Sequence, residues 1–244
     1  MIRTAILLAA GEGSRLRSAA PLKPLCMVGA RSLLGHAICG LAEAGLTRAV
    51  IVLGYGAERI EAHIAAHPWP LAVETVRTDD HRKPNGVSVL AAEPLVVGED
   101  ALLAMCDHLV EPELYRRTAR AGASAGAQLA IDRRIDSGWV DLDDVTRVRT
   151  DGERIVGIGK GLEPYDCFDT GVFAVGPALF AALRGLEAPS LTEGMRVLAE
   201  HGTALTVDCG DLGWIDVDDQ WALDKARLWR GTPEPERRAG IQAA

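Results

Sequence analysis

Residues 6–29 read ILLAAGEGSRLRSAAPLKPLCMVG, an apolar run that ends on Gly11-x-Gly13-x-Arg15 and is followed by Lys23-Pro24. A short apolar run breaking into glycines predicts a buried strand that opens into a ligand loop, the first unit of an α/β fold. Gly11 and Gly13 can take φ > 0 and leave bare backbone for a base or a phosphate. A P-loop would place Lys-Ser or Lys-Thr directly after its last glycine, where this chain has Ser14-Arg15. A dinucleotide fingerprint would need a third glycine where Leu16 stands. What remains is a plain glycine-rich turn or a different nucleotide loop, and the cations Arg15 and Lys23 favour the second.

Bulk properties narrow the classes further. A chain of 244 residues, 48% hydrophobic, can bury a full core as one large α/β domain or two small ones. The net charge of −8 argues against nucleic acid or an anionic membrane as partner, so a phosphate ligand must be held by a few local cations. Apolar runs such as Ala5–Ala10 fall far short of the roughly 20 residues that span a bilayer. Met1 leads into a strand without a signal-peptide layout, so no membrane insertion and a cytoplasmic location are expected. Cys26, Cys39, Cys106, Cys167 and Cys209 show neither metal nor disulfide spacing and read as free thiols.

Apolar runs at 3–9, 48–54, 71–76, 101–106 and 126–131 predict strands, with helices near 32–44, 57–66, 86–93 and 111–121 between them. Such alternation implies βαβ units and a Rossmann-like, mostly parallel sheet flanked by helices. Ser32 is placed to cap the first helix and Gly45 to stop it. From about 132 to 176 the pattern becomes a meander with a hairpin at Asp151-Gly152, read as a β-rich insertion forming one wall of a cleft. Helices near 177–184 and 191–200, a strand at 203–208 and a helix at 218–230 complete a single domain over 1–230. The polar, proline-bearing residues 231–244 read as a disordered tail.

Ligands of open parallel sheets sit beyond the carboxyl ends of the strands. That rule selects Ala9-Ala10-Gly11, the NGVSVL segment at 85–90, and Asp107 in MCDHL. A carboxylate so placed suits a hard divalent cation, or else caps a helix or turn. Asp216, in GWIDVDD, is a second such acid, and if the two converge they can share the metal that neutralises a triphosphate. His108, beside Asp107, is as well suited to a structural role.

Taken in order, LAAGEGSRLRSAAPLKPL, MCDHL, DTGVF and WIDVDD resemble the nucleotidyltransferase family that joins a nucleoside triphosphate to a phosphorylated sugar or alcohol and releases pyrophosphate. NGVSVL, VDLDDVTRV and IVGIGKGLEPYDCFDTGVF are most similar to the inositol-1-phosphate cytidylyltransferases within it. The resemblance implies the nucleotide-diphospho-sugar transferase fold, Mg²⁺ as cofactor, and CTP and a phosphorylated alcohol as partners. It places Ala9, Ala10, Gly11 and Gly13 against the nucleotide, Asn85, Gly86 and Ser88 near the base, and Arg15 and Lys23 on the triphosphate. Asp107 and Asp216 would take the metal, Lys160 the acceptor's phosphate, and Asp169, Thr170 and Gly171 the acceptor wall, where Asp141, Asp143, Asp169 and Thr170 can supply hydrogen bonds to the hydroxyls of an inositol ring.

A homodimer is compatible with such a chain, and a separate membrane CDP-alcohol phosphotransferase is expected to use the product. The membrane-embedded synthase domain that can follow the catalytic domain in that group is not among these residues. Choline phosphate or aminoethylphosphonate stands as an alternative acceptor, because Trp139, Asp141, Asp143, Asp144 and Tyr165 offer material for a cation cage. A sugar 1-phosphate is a further alternative, and a non-catalytic nucleotide-binding regulator is the reading from another class.

Overall fold

The first strand, β1 (Thr4–Ala9), is buried along its whole length, and its period of two decides the layering. Ala5, Leu7 and Ala9 enter one core while Ile6 and Leu8 enter another. A strand that is apolar on both faces must be covered on both, which gives helix, sheet and helix layers. The structure is a computed structural model and describes residues 1–231. The expected disordered tail, residue 231 apart, lies outside the described residues.

The further strands in chain order are β2 (Met27–Val28), β3 (Arg31–Ser32), β4 (Arg48–Leu53), β5 (Ala72–Arg77), β6 (Ala101–Met105), β7 (His108–Val110), β8 (Ala127–Asp132), β9 (Arg147–Asp151), β10 (Arg154–Gly159), β11 (Cys167–Val175), β12 (Ala204–Asp208) and β13 (Trp214–Asp216). The helices are α1 (Leu33–Glu43), α2 (Ala57–Ala65), α3 (Asn85–Ala92), α4 (Pro112–Ala121), α5 (Pro177–Arg184), α6 (Leu191–Glu200) and α7 (Gln220–Gly231). Nine strands form one sheet in the order β5-β4-β1-β6-β11-β8-β12-β10-β9. It is a mixed α/β sheet with helices packed on both faces.

The β5-β4-β1-β6 half is parallel, as the βαβ alternation predicts. The other half is mixed: β11, which lies between β6 and β8, runs antiparallel to both, β12 runs parallel to β8, and β10 runs antiparallel to β12 and β9. The 132–176 stretch therefore does two things. Its β9–β10 hairpin, turned at Gly152 with φ +60°, extends one edge of the sheet, whereas β11 is a central strand buried among its neighbours. Helix α1 begins as predicted, with the Ser32 hydroxyl accepting from the Gly35 N–H at 3.1 Å.

One core packs α1, α2 and α4 on the sheet, the other packs α3, α5 and α6. A third cluster, with Leu16, Val28, Leu109, Ile215, Leu223 and Trp229, seats α7 against the glycine loop and the β7–β13 ribbon. That cluster matters for function because it fixes the two acid-bearing strand ends beside the loop.

Candidate active site

The two glycines of the opening motif do different work. Gly13 has φ +57°, and a Cβ there would lie 2.3 Å from the Lys23 Cβ, so only glycine lets the loop fold over Lys23. Gly11 meets nothing within 4 Å where its Cβ would stand, and it lines a cavity of about 300 Å³ together with Ala9, Gly13, Arg15 and Lys23. Lys23 itself is buried at 6% exposure in a short 3₁₀ turn with Pro24. Its Nζ donates to Asp107 at 2.7 Å and to Asp218. Burial alone would weaken the Lys23 charge, but Asp107, Asp216 and Asp218 outweigh it and hold the ammonium well above the usual lysine range.

The acids converge because β7 and β13 pair. Asp216 stands opposite His108 in that antiparallel ribbon, and the Val217 N–H donates to the Asp107 carbonyl at 3.1 Å. Asp107, His108 and Asp216 bring ligand atoms within 4.8 Å of one another, as do Asp144, Asp216 and Asp218. The ring of His108 is already committed: Nδ1 lies 2.9 Å from the Thr170 carbonyl and Nε2 3.3 Å from Asp216 Oδ2. Both partners accept, so both ring nitrogens donate and the ring is an imidazolium. Burial opposes that charge, yet Asp216 and then Asp107 raise it, and His108 stands at about 10. In return His108 overcomes the burial of Asp216 and lowers it to about 2. The buried Asp216 Oδ1 has no hydrogen-bond partner. An orphaned carboxylate oxygen beside a second carboxylate suits a hard divalent cation.

Asp107 and Asp218 also line a second cavity of about 240 Å³, bounded by Asn85, Asp141, Asp144, Lys160, Asp169 and Gly171 and walled by Trp139, Trp214 and Trp221. The two cavities therefore meet at the acids. Arg15 bridges them, donating to Asp144 at 2.7 Å and to Asp218 at 2.6 Å. Lys160 pairs with the other oxygen of Asp144, and these two cations hold the Asp144 carboxyl far below the usual range. Burial and the nearby Asp216 push Asp218 up to about 6. Asp169, half-buried with one oxygen on the Gly171 N–H, also stands at about 6, chiefly from desolvation.

Most of the residues singled out from the sequence meet here. Some do other work. Asn85 lines the second cavity, but its Oδ1 accepts from the Leu191 N–H at 2.8 Å and so ties α3 to the start of α6. Gly86 packs within α3, where a Cβ would lie 2.4 Å from the Pro189 carbonyl oxygen, and Ser88 is buried in the same helix. Ala10 accepts the Tyr55 N–H. The Thr170 hydroxyl donates to the Ala130 carbonyl at 2.8 Å inside the sheet, while Gly171, at φ +76°, leaves room for the His108 ring.

Asp218 was not singled out, although an acid two residues after Asp216 on extended backbone shares its face. Asp144 was seen only as cage material, and nothing local marks its pairing with Arg15.

The MobA-like NTP transferase domain matches residues 5–204. The chain belongs to that family. This transferase domain is 36% identical over 219 residues to a bifunctional IPC transferase and DIPP synthase of Rubrobacter xylanophilus, covering 88% of this chain and 49% of that protein. A protein of the same name from Aquifex aeolicus is 30% identical over 94% of this chain and 52% of its own length. The chain thus spans about half the length of the curated relatives it matches. Among solved structures, the inositol-1-phosphate CTP transferase from T. maritima superposes with a TM-score of 0.81 at 23% identity, covering 99% of this chain and 96% of that one. UTP-bound UGPase from Acinetobacter baumannii superposes with a TM-score of 0.76 at 19% identity, over 100% of this chain and 98% of that one. These likenesses show the fold.

Among the described residues no helix is long and apolar enough to cross a membrane.

Proposed function

We propose that this domain is a cytidylyltransferase that joins the CMP unit of CTP to inositol 1-phosphate, giving CDP-inositol and pyrophosphate. The observation that carries the reading is the meeting of two cavities at Asp107 and Asp218, with Lys23 and Arg15 on one side and Lys160 on the other. The names of the curated relatives and of one superposed structure support CTP and inositol phosphate as the substrates.

An oxygen of the acceptor's phosphate attacks the α-phosphorus of the nucleotide, and the bond from that phosphorus to the bridging oxygen of pyrophosphate breaks. The attacking oxygen is already anionic, so no general base is required, and the protein's task is alignment and charge. The open face of Gly11 receives the nucleotide, while Lys23 and Arg15 hold its phosphates. Lys160 holds the acceptor phosphate in line. Asp107 and Asp216 would bind Mg²⁺, which supplies further positive charge against the reacting phosphate. Asp141 and Asp169 would accept hydrogen bonds from the acceptor's hydroxyls. The product would pass to a membrane CDP-alcohol phosphotransferase.

Pyrophosphate release, measured with four nucleoside triphosphates against a panel of phosphorylated alcohols and sugars, tests the assignment. CTP with inositol 1-phosphate should give the highest kcat/KM. A higher value for UTP with a sugar 1-phosphate would replace it, and nucleotide binding without turnover on any pair would mark a regulator instead.

A further inference from the structure

An acceptor site for an ammonium-bearing alcohol phosphate needs free aromatic faces to receive the cation. The second cavity has three tryptophans in its wall, yet two of them already face the ammonium of Lys225 and the third is covered by the His108 ring. The Nζ of Lys225, on α7, stands 3.7 Å from the Trp221 ring centroid and 5.5 Å from that of Trp139. Its ammonium also donates to the Gly138 carbonyl. Trp214 stacks on His108, with centroids 6.2 Å apart and planes at 26°. Tyr165, the other aromatic of the 132–176 stretch suited to a cage, carries the Arg147 guanidinium at 4.7 Å. Among the described residues no carboxylate lies within ion-pair distance of Lys225, so its charge at the tryptophan pair is not cancelled by a neighbour.

We propose that Lys225 is a specificity-determining residue: as an internal cation on Trp139 and Trp221 it excludes ammonium-bearing acceptors, leaving the site to neutral polyol phosphates. The proposal rests on the acceptor cavity assigned under the proposed function and deepens it. A second ammonium on those rings would lie within a few ångströms of the first, where like charges repel. Rejection thus comes from a charge already in place and needs no contact with the polyol.

The test compares wild type with Lys225→Met, which keeps chain length and removes charge, and Lys225→Arg, which keeps the cation on the rings. With CTP, the ratio of kcat/KM for choline phosphate to that for inositol 1-phosphate should rise about tenfold or more in the Met variant, the scale of a modest cation–π contact, and stay at the wild-type value in the Arg variant. Tryptophan fluorescence titrated with tetramethylammonium gives a readout free of turnover: saturable quenching should appear with Met and not with wild type or Arg. Lys225→Gln serves the same purpose if the Met variant does not fold. An unchanged ratio, or an equal fall for both acceptors with no new quenching, overturns the proposal and leaves Lys225 as a clasp between α7 and Gly138. Should wild type prefer another neutral polyol phosphate, the inositol assignment fails while the quenching result still decides the role of Lys225.

Discussion

The nucleotide side and the acceptor side of the cleft are built in different ways. The nucleotide side is backbone and strand end: β1 runs parallel to β4 and β6, breaks at Gly11, and delivers a loop whose one deeply placed cation, Lys23, is buried beneath Gly13. The acceptor side is side chain. Asp141, Asp144, Lys160, Asp169 and the tryptophans arrive from the meander, from β11, from β13 and from α7, and salt bridges join segments far apart in sequence. A backbone cradle recognises what every nucleoside triphosphate shares, whereas a wall of side chains can be exchanged to select one acceptor. The chemistry belongs to neither alone, because the acids at the β6 and β13 ends stand on the seam.

The sharpest way to break this division is to remove the seam. Asp107→Ala and Asp216→Ala are each expected to lower kcat by several kcal/mol of barrier, roughly a thousandfold or more, with circular dichroism unchanged. Excess chelator should do the same to wild type. If either variant turns over normally while folded, the seam is not where the reaction occurs.

The next largest effect separates the two glycines. Gly13→Ala should lose at least about 2 kcal/mol in urea denaturation, since alanine is strained at φ +57° and its Cβ would overlap Lys23. Gly11→Ala has open space and should keep its stability within roughly 0.5 kcal/mol, while raising the KM for the nucleotide. Equal stability losses would mean that both glycines serve only the turn.

A smaller effect sharpens the acceptor side. Lys160→Ala removes one charge-assisted contact, worth about 1.5–3 kcal/mol when sheltered. Its side chain is 62% exposed, so the lower end applies: about a tenfold rise in acceptor KM, with nucleotide KM nearly constant. A matching rise in nucleotide KM would place Lys160 on the triphosphate.

The same division explains what could be read without coordinates. On the nucleotide side each step is local: β1, the Ser32 cap of α1 and the strand-end position of Asp107 follow from periodicity and turn chemistry within a few residues. Asp107 and Asp216 could be named as a pair only because both sit at strand ends, and it is the β7–β13 register that makes them neighbours. Asp144 on Arg15, Asp218 on Lys23 and Lys225 on two tryptophans are tertiary contacts with no periodic signature. Asn85, Gly86, Ser88 and Thr170 carry the opposite lesson. Polar or small residues in a motif also satisfy buried backbone and allow close packing, and sequence alone does not separate that work from ligand binding. The meander was legible as β, but the place of β11 between β6 and β8 depends on long-range pairing that alternation does not encode.

The smallest predicted effect concerns His108, which, like Arg15, ties the two sides together. His108 joins the acceptor wall, through the Thr170 carbonyl, to the seam, through Asp216. Its folded value of about 10 lies above the ordinary 6.5, so the stability it contributes is complete below about pH 6.5 and is lost as pH rises through 10. Asp216, held at about 2 instead of 3.8, contributes above pH 3.8 and loses its share as pH falls through 2. Both shifts report one interaction, which is to be counted once and discounted because the Asp216 side chain is 38% exposed. His108→Asn should therefore be less stable than wild type by on the order of 1–2 kcal/mol between pH 4 and 6.5, with the gap closing toward pH 10. Urea midpoints for both proteins across that range measure it. A gap that is constant with pH would show that His108 is held by shape alone, and the two sides of the cleft would then be joined by packing and not by charge.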